Sequence, residues 1–545
     1  MKNKFIISII VCLLSGNIFP QSYIPNEEFL NTIHRHLRFL GSDLFEGRGT
    51  GDTGGYLAAK YLALEFSKLR LKPIGENNTY YQHVPMHGSM PLKESKLKIH
   101  TRDSIVNLNI TDDYLLFNSG EHTLIPLPVD LVFVGYGIVA PEFDYNDYQN
   151  VDVEGKIVVM LDGEPNSDDD TYFSGNNPTL YSYPESKQRL AIAQGATGSI
   201  IIPALSSGHT DWAKYKNMFS FEDIKLSYSA SKNLALMINP QKADVLFKDS
   251  GYHLEDIYKM RETNNIKSFE LNTKLSFDGV YRQRDFLASN IVGMIEGSDP
   301  ELKDSYLIIS AHYDHLGLGP AVEGDSIYNG VFDNAIGVAA ILELAREINK
   351  LETPPARSVI FIAFTGEEEG LLGSTYYTDY PIVPLYKTVA NINVDGVAVF
   401  DTFKSVIGIG REYSTLSGYL EKTADEFNLS IVDIPPQFYN TETFNRSDQI
   451  AFAFAGVPAM LVLDGPDYVH MSRAEGIQKQ IEYNSKIYHT PFDDLSLPVN
   501  FSAVYEHVQF LYSLCLNIAN DKGQPEWYRG SPYSAARLRS IAEKR

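Results

Sequence analysis

The chain has 545 residues, of which 44% are hydrophobic and 21% are charged. This composition is typical of a globular protein and argues against a disordered, collagen-like or coiled-coil chain. At about 150 residues per domain, the length predicts two to four domains. The formal net charge of −23 excludes a basic nucleic-acid-binding surface, because an acidic surface repels phosphate backbones.

The chain contains two cysteines, Cys12 and Cys515. Cys12 lies in the predicted leader, which leaves one cysteine in the mature chain, so no intrachain disulfide framework is expected. The same count excludes a cysteine-rich zinc site. Any bound metal must therefore be held by histidines and carboxylates.

The first 21 residues predict a signal peptide. Lys2 and Lys4 form a short basic region, and Phe5–Leu14 is an apolar run of suitable length for the signal-peptide core. The alternatives are a buried N-terminal helix and a lipoprotein anchored at Cys12, although Val11 stands where a small residue is preferred. We expect an exported protein, periplasmic or extracellular. We expect no membrane span, since the sequence has no run of about 18 apolar residues.

Two helices are predicted at the start of the mature chain, over Asn26–Leu40 and Tyr56–Leu71, where apolar residues recur at helical spacing. The glycine-rich segment Gly41–Gly55 between them is interpreted as a turn. It lacks the Lys-Ser/Thr ending of a phosphate-binding loop, and no strand pattern precedes it. From about Lys93 to Leu275 short β-rich runs dominate. From about Phe286 strands alternate with helices, which predicts an α/β fold with a mixed, mostly parallel sheet flanked by helices.

These changes of pattern divide the chain into five predicted parts. They are the signal peptide (1–21), the first part of the α/β domain (22–122), a β-rich insertion (123–275), the second part of the α/β domain (276–525) and a C-terminal tail (526–545). The tail is interpreted as a solvated segment or as a strap across the surface.

Histidines and carboxylates follow several strongly apolar runs of the second α/β part. The residues are His312 and Asp314 after SYLIISA, Asp333 near a helix start, Glu367 and Glu368 after SVIFIAF, Asp395 after VANINV, and His489 in a later loop. In an open α/β sheet, ligands bind at the carboxyl ends of the strands. Two histidines and three carboxylates can hold two divalent metals if one carboxylate bridges, and this donor mix suits zinc.

Each of these residues alone has a simpler interpretation. A histidine after a buried strand is usually structural, and Asp333 alone would be a helix N-cap. Glu367 and Glu368 alone would be the solvated start of a helix. Only the ordered set of residues on the strand ends indicates a metal site.

Five segments resemble, in order, the co-catalytic di-zinc exopeptidases, which include bacterial leucyl-type aminopeptidases and glutamate carboxypeptidase II. The segments are AHYDHLG (Ala311–Gly317), NGVFDNAIG (Asn329–Gly337), FTGEEEGLLGS (Phe364–Ser374), NVDG (Asn393–Gly396) and YHTPFDDL (Tyr488–Leu495). The resemblance implies two zinc ions, one held by His312 and Asp395 and the other by Glu368 and His489, with Asp333 bridging. It further implies that Glu367 is the general base acting on a metal-bridging water and that Asp314 orients His312.

The insertion resembles a protease-associated domain in its segments FVGYGIVAPEFDYNDYQNVDVEGKIVVMLDGEP and AIAQGATGSIIIP. Such a module often stands near the substrate entrance of this family, so the resemblance implies gating or substrate selection. A purely structural insertion is the alternative.

The chain departs from the family pattern at two places. The residues Val331 and Phe332 before the bridging aspartate are less polar than usual, and Gln449 stands where a Ser-Asp-His motif has histidine. The second departure affects substrate contacts rather than zinc binding. His315 and His470 have no assigned role, and His315 is expected to pack beside the site.

The resemblance therefore predicts an exported, zinc-dependent aminopeptidase that acts on peptide substrates. The first alternative is a carboxypeptidase of the same superfamily, which would need basic residues such as Arg446 and Arg473 around the pocket to bind the substrate carboxylate. The second alternative is a non-catalytic binding or receptor protein on the same scaffold. The sequence does not indicate an oligomeric state.

Overall fold

The computed structural model describes residues 25–117, 121–167, 169, 171–175, 179–203, 212–438 and 444–542. The predicted signal peptide, residues 1–21, lies outside this part of the chain, so export stays a prediction. Among the described residues, no helix combines the length and the apolar character needed to cross a membrane.

The helices lie mainly before and after the β-rich insertion. They are α1 (Glu27–Leu40), α2 (Thr53–Lys68), α3 (Pro184–Ala193), α4 (Trp212–Met218), α5 (Pro240–Ala243), α6 (Leu254–Glu262), α7 (Ile336–Asn349), α8 (Leu372–Asp379), α9 (Leu416–Phe427), α10 (Gln449–Phe454), α11 (Arg473–Lys486), α12 (Phe501–Ala519) and α13 (Ser534–Ala542).

The two predicted N-terminal helices are both present. Asn26 caps α1 by accepting a hydrogen bond from the backbone N–H of Phe29 at 2.8 Å. α2 begins and ends earlier than the predicted Tyr56–Leu71. Asp52 has an extended backbone just before Thr53, and Arg70 has a positive φ of 57°, so both residues lie outside the helix.

The strands belong mainly to two sheets. They are β1 (Lys72–Pro73), β2 (Tyr81–Pro91), β3 (Lys96–His100), β4 (Ile105–Leu108), β5 (Tyr114–Leu116), β6 (Leu124–Phe133), β7 (Val139–Ala140), β8 (Tyr145–Asn146), β9 (Ile157–Leu161), β10 (Gly198–Ile202), β11 (Asp223–Leu226), β12 (Leu234–Ile238), β13 (Phe269–Asp278), β14 (Tyr281–Ile295), β15 (Tyr306–His312), β16 (Gly317–Val322), β17 (Asp325–Tyr328), β18 (Ser358–Phe364), β19 (Thr388–Asn393), β20 (Ser405–Ile409), β21 (Ser430–Ile431) and β22 (Ala459–Asp464).

The larger sheet has the order β11-β2-β14-β18-β15-β19-β22-β20-β21, with β1 beside β14. The four central strands β18, β15, β19 and β22 are parallel to one another. The pairs on the β11 side and the β20–β22 pair are antiparallel. The α/β class is therefore confirmed. The predicted mixed sheet is confirmed as well, with its parallel core at the centre and at the β20–β21 pair, and with more antiparallel pairs at the edges than the prediction of a mostly parallel sheet implies.

The central strands are buried on both faces, as expected for parallel strands covered by helices. Successive side chains of β15 point to opposite faces, so Ile309 packs in the core with α1, α2, α7 and α12. Its neighbour Ile308 packs on the other side with Tyr377 of α8 and Phe452 of α10. This apolar packing on both faces holds the central strands side by side, so that their carboxyl ends lie at the same edge of the sheet.

The smaller sheet has the order β4-β3-β13-β6-β9-β10-β12-β5. It is the predicted β-rich insertion, but it begins before residue 123, because Leu97 and Ile99 of β3 are buried in its core. One strand within the insertion, β11, leaves this sheet and pairs with β2 at the edge of the larger sheet. The resemblance of the insertion to a protease-associated domain stays a prediction.

The described part of the C-terminal tail forms a strap against the larger sheet. The Trp527 indole donates a hydrogen bond to the carbonyl of Gly456 at 2.9 Å. Tyr533 is buried among aromatic rings, including that of Phe444. Arg537 donates to the carbonyl of Leu385 at 2.9 Å. Of the two interpretations offered for the tail, these contacts favour the strap.

Candidate metal centre

The predicted site residues meet at the carboxyl ends of three adjacent parallel strands. His312 ends β15, Glu367 and Glu368 follow β18, and Asp395 follows β19. Asp333 lies in the turn 331–335 that leads into α7. His489 joins them from the loop between α11 and α12, with a positive φ of 57°. All five predicted ligands and the predicted base therefore lie in one cavity.

Asp333 lies between the two histidines. Its Oδ1 is 3.3 Å from His312 Nε2, and its Oδ2 is 3.2 Å from His489 Nε2. Each oxygen of the carboxylate thus faces a different imidazole, which is the arrangement that a carboxylate needs to bridge two cations.

The other two carboxylates divide between the two histidines. Asp395 Oδ1 is 3.1 Å from His312 Nε2, and Glu368 Oε2 is 3.1 Å from His489 Nε2. His312 is buried, whereas the side chains of Asp395 and His489 are 23% and 32% exposed. The cavity therefore opens to solvent on the side of Asp395 and His489.

Asp314 contacts both His312 and the glutamate turn, through different groups. His312 Nδ1–H donates to the main-chain oxygen of Asp314 at 3.2 Å, while the nearest carboxylate oxygen is 3.9 Å away and too far for a hydrogen bond. The carboxylate instead accepts from the backbone N–H groups of Glu367 at 3.2 Å and Glu368 at 3.3 Å. Asp314 thus orients His312 through its backbone and holds the glutamate turn with its side chain.

Asp493 supports the bridging residue from below, and the sequence analysis did not single it out. Its carboxylate accepts from the backbone N–H groups of Phe332 at 2.8 Å and Asp333 at 3.0 Å. Asp493 belongs to the YHTPFDDL segment that also carries His489. Its place in that segment was the only available signal.

Arg48 is a second buried support that the sequence analysis missed. It is fully buried in the glycine-rich turn, with a φ of 55°. Its guanidinium donates to main-chain carbonyls of Leu40 at 2.9 Å, Tyr313 at 2.7 Å and Gly330 at 2.8 Å, and also to that of Asn329. Burial lowers the pKa of Arg48 to about 10, so the group remains charged at neutral pH. The predicted turn is therefore a scaffold for the loops that carry His312 and Asp333.

His315 lies closer to the site than expected. Its Nδ1 is 2.5 Å from Glu368 Oε1 and 3.9 Å from Asp333 Oδ2. The ring is fully buried, and it packs edge-on against His489 with centroids 5.6 Å apart. His315 thus packs beside the predicted ligands, as expected, and also contacts one of them directly.

Glu367 is surrounded by other acidic groups. Burial raises the pKa of Glu367 well above its usual value, the nearby His312 lowers it, and the carboxylates of Asp395, Glu368 and Asp448 raise it further. Asp448 is itself fully buried, and burial raises its pKa to about 7. The environment therefore favours proton uptake by Glu367.

Of the two departures from the family pattern, Val331 and Phe332 directly precede the predicted ligand Asp333, whereas Gln449 is not one of the predicted ligands. Gln449 is buried, accepts a hydrogen bond from Asn393 at 3.0 Å and donates one to the carbonyl of Phe444 at 3.0 Å. Arg473 pairs with Asp467 at 2.6 Å, whereas Arg446 is exposed and acts electrostatically on Tyr488. These contacts do not make Arg446 and Arg473 a matched pair for a substrate carboxylate.

The cavity fits divalent zinc in both donor type and charge. Imidazole nitrogens and carboxylate oxygens are zinc donors, and two groups of three can each hold one ion: His312 with Asp333 and Glu368, and His312 with Glu367 and Asp395. Among the ion pairs of the described residues, Asp333, Glu368 and Asp395 pair only with histidines. The charge of the buried Arg48 acts on Asp333 and Glu368 from a distance, but its hydrogen bonds go to carbonyls, so the carboxylate oxygens stay available to a divalent cation.

We expect Arg48→Met to lower the free energy of unfolding by about 3 kcal/mol or more, because several buried carbonyls lose their donor. Urea denaturation of the zinc-loaded protein measures this change. Arg35→Met is the matched control, since Arg35 is 56% exposed and pairs with Glu65 at 3.2 Å. Equal stabilities of the two variants would contradict the role given to Arg48.

Comparisons with known proteins show what the chain is similar to. Residues 290–510 match the sequence profile of Peptidase family M28. The aminopeptidase NAALADL1 of Mus musculus is 36% identical over 119 residues, which are 21% of this chain and 14% of that protein. A glutamate carboxypeptidase 2 homolog of Caenorhabditis elegans is 33% identical over 127 residues, which are 22% of this chain and 15% of that protein. The chain thus aligns with only a small part of each relative.

A solved structure extends the likeness to the whole fold. The aminopeptidase from Aneurinibacillus sp. strain AM-1 is 19% identical, with a TM-score of 0.52, and the match covers 91% of this chain and 94% of that chain. At this identity the likeness concerns the fold alone. The profile match agrees with the resemblance that the five ordered segments carry: residues 290–510 of this chain are similar to Peptidase family M28.

Proposed function

We propose that this protein is a zinc-dependent aminopeptidase that removes N-terminal residues from peptides. The observation that carries the proposal is the position of Asp333, whose two carboxylate oxygens face His312 and His489 at 3.3 and 3.2 Å. A carboxylate so placed is suited to bridge two metal ions in one cavity.

The proposed ligands form two sets around Asp333. His312 and Asp395 complete one zinc site, and Glu368 and His489 complete the other. The contacts of 3.1 Å within each pair support this division. When bound, two zinc ions would polarise the substrate carbonyl and make water a stronger acid.

Glu367 is the proposed general base. It lies in the same turn as Glu368, and the carboxylate of Asp314 holds the backbone N–H groups of both residues. Its raised pKa suits a group that takes a proton from water and then gives it to the leaving amine. Because the adjacent residues Glu367 and Glu368 take different roles, one short turn supplies both the general base and a metal ligand.

The contacts of the basic residues favour a substrate with a free amine. A C-terminal carboxylate would need arginine or lysine partners at the site, whereas an N-terminal amine needs none. Arg473 is already paired with Asp467. The carboxypeptidase remains the second candidate, because one relative is named a glutamate carboxypeptidase homolog. A non-catalytic binding protein is the third.

We expect Glu367→Gln to lower kcat by about 10²- to 10⁴-fold while both zinc ions stay bound, because the amide cannot accept the proton. Peptide hydrolysis and metal analysis of the same sample measure the two quantities. Glu301→Gln, at an exposed position outside the cavity, is the control and should behave like the wild type. Near-wild-type turnover of Glu367→Gln with metals bound would show that the base is assigned wrongly.

We expect free-amine peptides to be cleaved and N-blocked peptides to be spared. A chelator should abolish the cleavage, and added zinc should restore it. The measurement is hydrolysis of a matched panel of free-amine and N-blocked peptides. Cleavage restricted to blocked peptides with a free C-terminus would favour the carboxypeptidase. No cleavage by folded protein that carries zinc would favour the binding protein.

A further inference from the structure

The glutamate turn ends in a third acidic residue, Glu369, to which the proposed mechanism gives no role. The turn is tight: the backbone N–H groups of Gly370 and Leu371 both donate to the carbonyl of Glu367 at 2.9 Å. Gly366 and Gly370 have positive φ values of 69° and 101°. Glu369 lies near Lys225 and the backbone of Ile224, which belong to the edge strand of the larger sheet.

That edge is the strand β11, which the insertion contributes. β11 pairs with β2 in antiparallel register, and the N–H of Ser227 just after it donates to the carbonyl of Pro85 at 3.0 Å. Because donors alternate along an antiparallel strand, the N–H of Ile224 points outward from the sheet edge. The carboxylate of Glu369 lies near this N–H, so it stands beside the open edge of the strand.

A half-buried cluster of charges surrounds the same contact. Lys225 of β11 interacts electrostatically with Glu369, and it also pairs with Asp223 at 3.1 Å and faces Glu185 of α3. Both partners of Lys225 outside the turn belong to the insertion. Lys225 therefore links the acidic turn of the peptidase domain to the insertion by charge.

Apolar and polar contacts also join the β11 segment to α8, the helix that follows the turn. Ile224 and Leu226 pack in one cluster with Leu372, the first residue of α8, directly after the turn. The hydroxyl of Tyr228 donates to the carboxylate of Asp379 at the end of α8 at 2.5 Å. The insertion segment thus holds the turn and the helix that follows it.

A salt bridge holds the start of β11 in place. Arg284 of β14 donates to Glu222 at 2.9 Å and to the carbonyl of Gly51 at 2.6 Å, and it also contacts Asp52 at 3.1 Å. These partners tie the residue before β11 both to the larger sheet and to the N-terminal turn. β11 is therefore a fixed support rather than a loose strand.

We propose that Glu369 is a positioning residue through which the insertion, by the N–H of Ile224 and the charge of Lys225, fixes the turn that presents Glu367 and Glu368. This inference rests on the proposed function, since it assigns the insertion a part in placing the base. It predicts that the contact affects turnover more than substrate binding, because Glu369 acts through the turn that holds the base.

The first test needs no activity. Hydrogen exchange of the backbone amides in residues 366–371 is measured on the full-length protein at saturating zinc, for the wild type and for Glu369→Ala, Glu369→Gln and Lys225→Met. We expect exchange in this turn to become at least about tenfold faster in Glu369→Ala and clearly faster in Lys225→Met, because the anchors are lost. Glu369→Gln keeps an acceptor for the Ile224 N–H and should stay near the wild type.

The second test compares kcat and KM on one peptide at saturating zinc. We expect Glu369→Ala to lower kcat about 10- to 100-fold with KM within about twofold, since a small displacement of the base costs that much. Glu369→Gln should recover most of the loss. Lys259→Met is the matched control, because Lys259 is 62% exposed and pairs with Glu255 within α6.

The outcomes separate the two proposals. A wild type that cleaves no peptide would overturn the proposed function, while the exchange measurement would still test the anchor. Unchanged exchange in residues 366–371 in Glu369→Ala would overturn the anchor, as would a kcat within twofold of the wild type. If Glu369→Ala does not fold, Lys225→Met decides by the same two readouts.

Discussion

The site depends on holding several carboxylates close together without covering them with basic side chains. Asp333, Glu368 and Asp395 lie around two imidazoles, and Glu367 lies beside them, so their mutual repulsion must be offset elsewhere. Zinc would supply the compensating charge when bound. The protein supplies the geometry, and it does so through main-chain anchors placed beneath the carboxylates.

These anchors form a shell of buried polar groups. Asp493 holds the backbone of Asp333, Asp314 holds the backbone of Glu367 and Glu368, and Arg48 joins the loops on both sides. Each anchor is itself buried and hydrogen-bonded, which is the condition under which buried charges stabilise a site rather than destabilise it. The ligands can therefore lie close together, because the anchors hold the backbone from which each ligand side chain extends.

The parallel strands explain why the ligands lie at one edge. β18, β15 and β19 are apolar on both faces and covered by helices, so their carboxyl ends stop at a common level where polar residues can follow. Two segments outside these central strands also support the site. They are the N-terminal turn, through Arg48, and the insertion, through β11.

The sequence predicts the residues that follow apolar strands better than those that support them. His312, Glu367 and Asp395 could be found because each comes soon after a strongly apolar run, and the family segments gave Asp333 and His489 their roles. Arg48, by contrast, sits in a glycine-rich turn far from the site in sequence, and its function depends on carbonyls contributed by distant loops. His315 could be placed beside the site but not paired with Glu368.

The strand pairing of the larger sheet was likewise only partly predictable from the sequence. The central α/β pattern was predictable because buried strands and amphipathic helices leave a clear periodicity. The antiparallel flanks were not, and neither was the transfer of β11 from the insertion to the larger sheet. The sequence of β11, DIKL, is short and shares its pattern with other strands of the insertion, so only tertiary pairing decides which sheet it joins.

The most direct test of this account is anomalous diffraction at the zinc edge from crystals of the zinc-loaded protein. The account predicts two peaks on either side of the Asp333 carboxylate, about 3.5–4 Å apart, one beside His312 and Asp395 and the other beside His489 and Glu368. A single peak that Asp333 does not touch, or two ions that do not share its carboxylate, would contradict it.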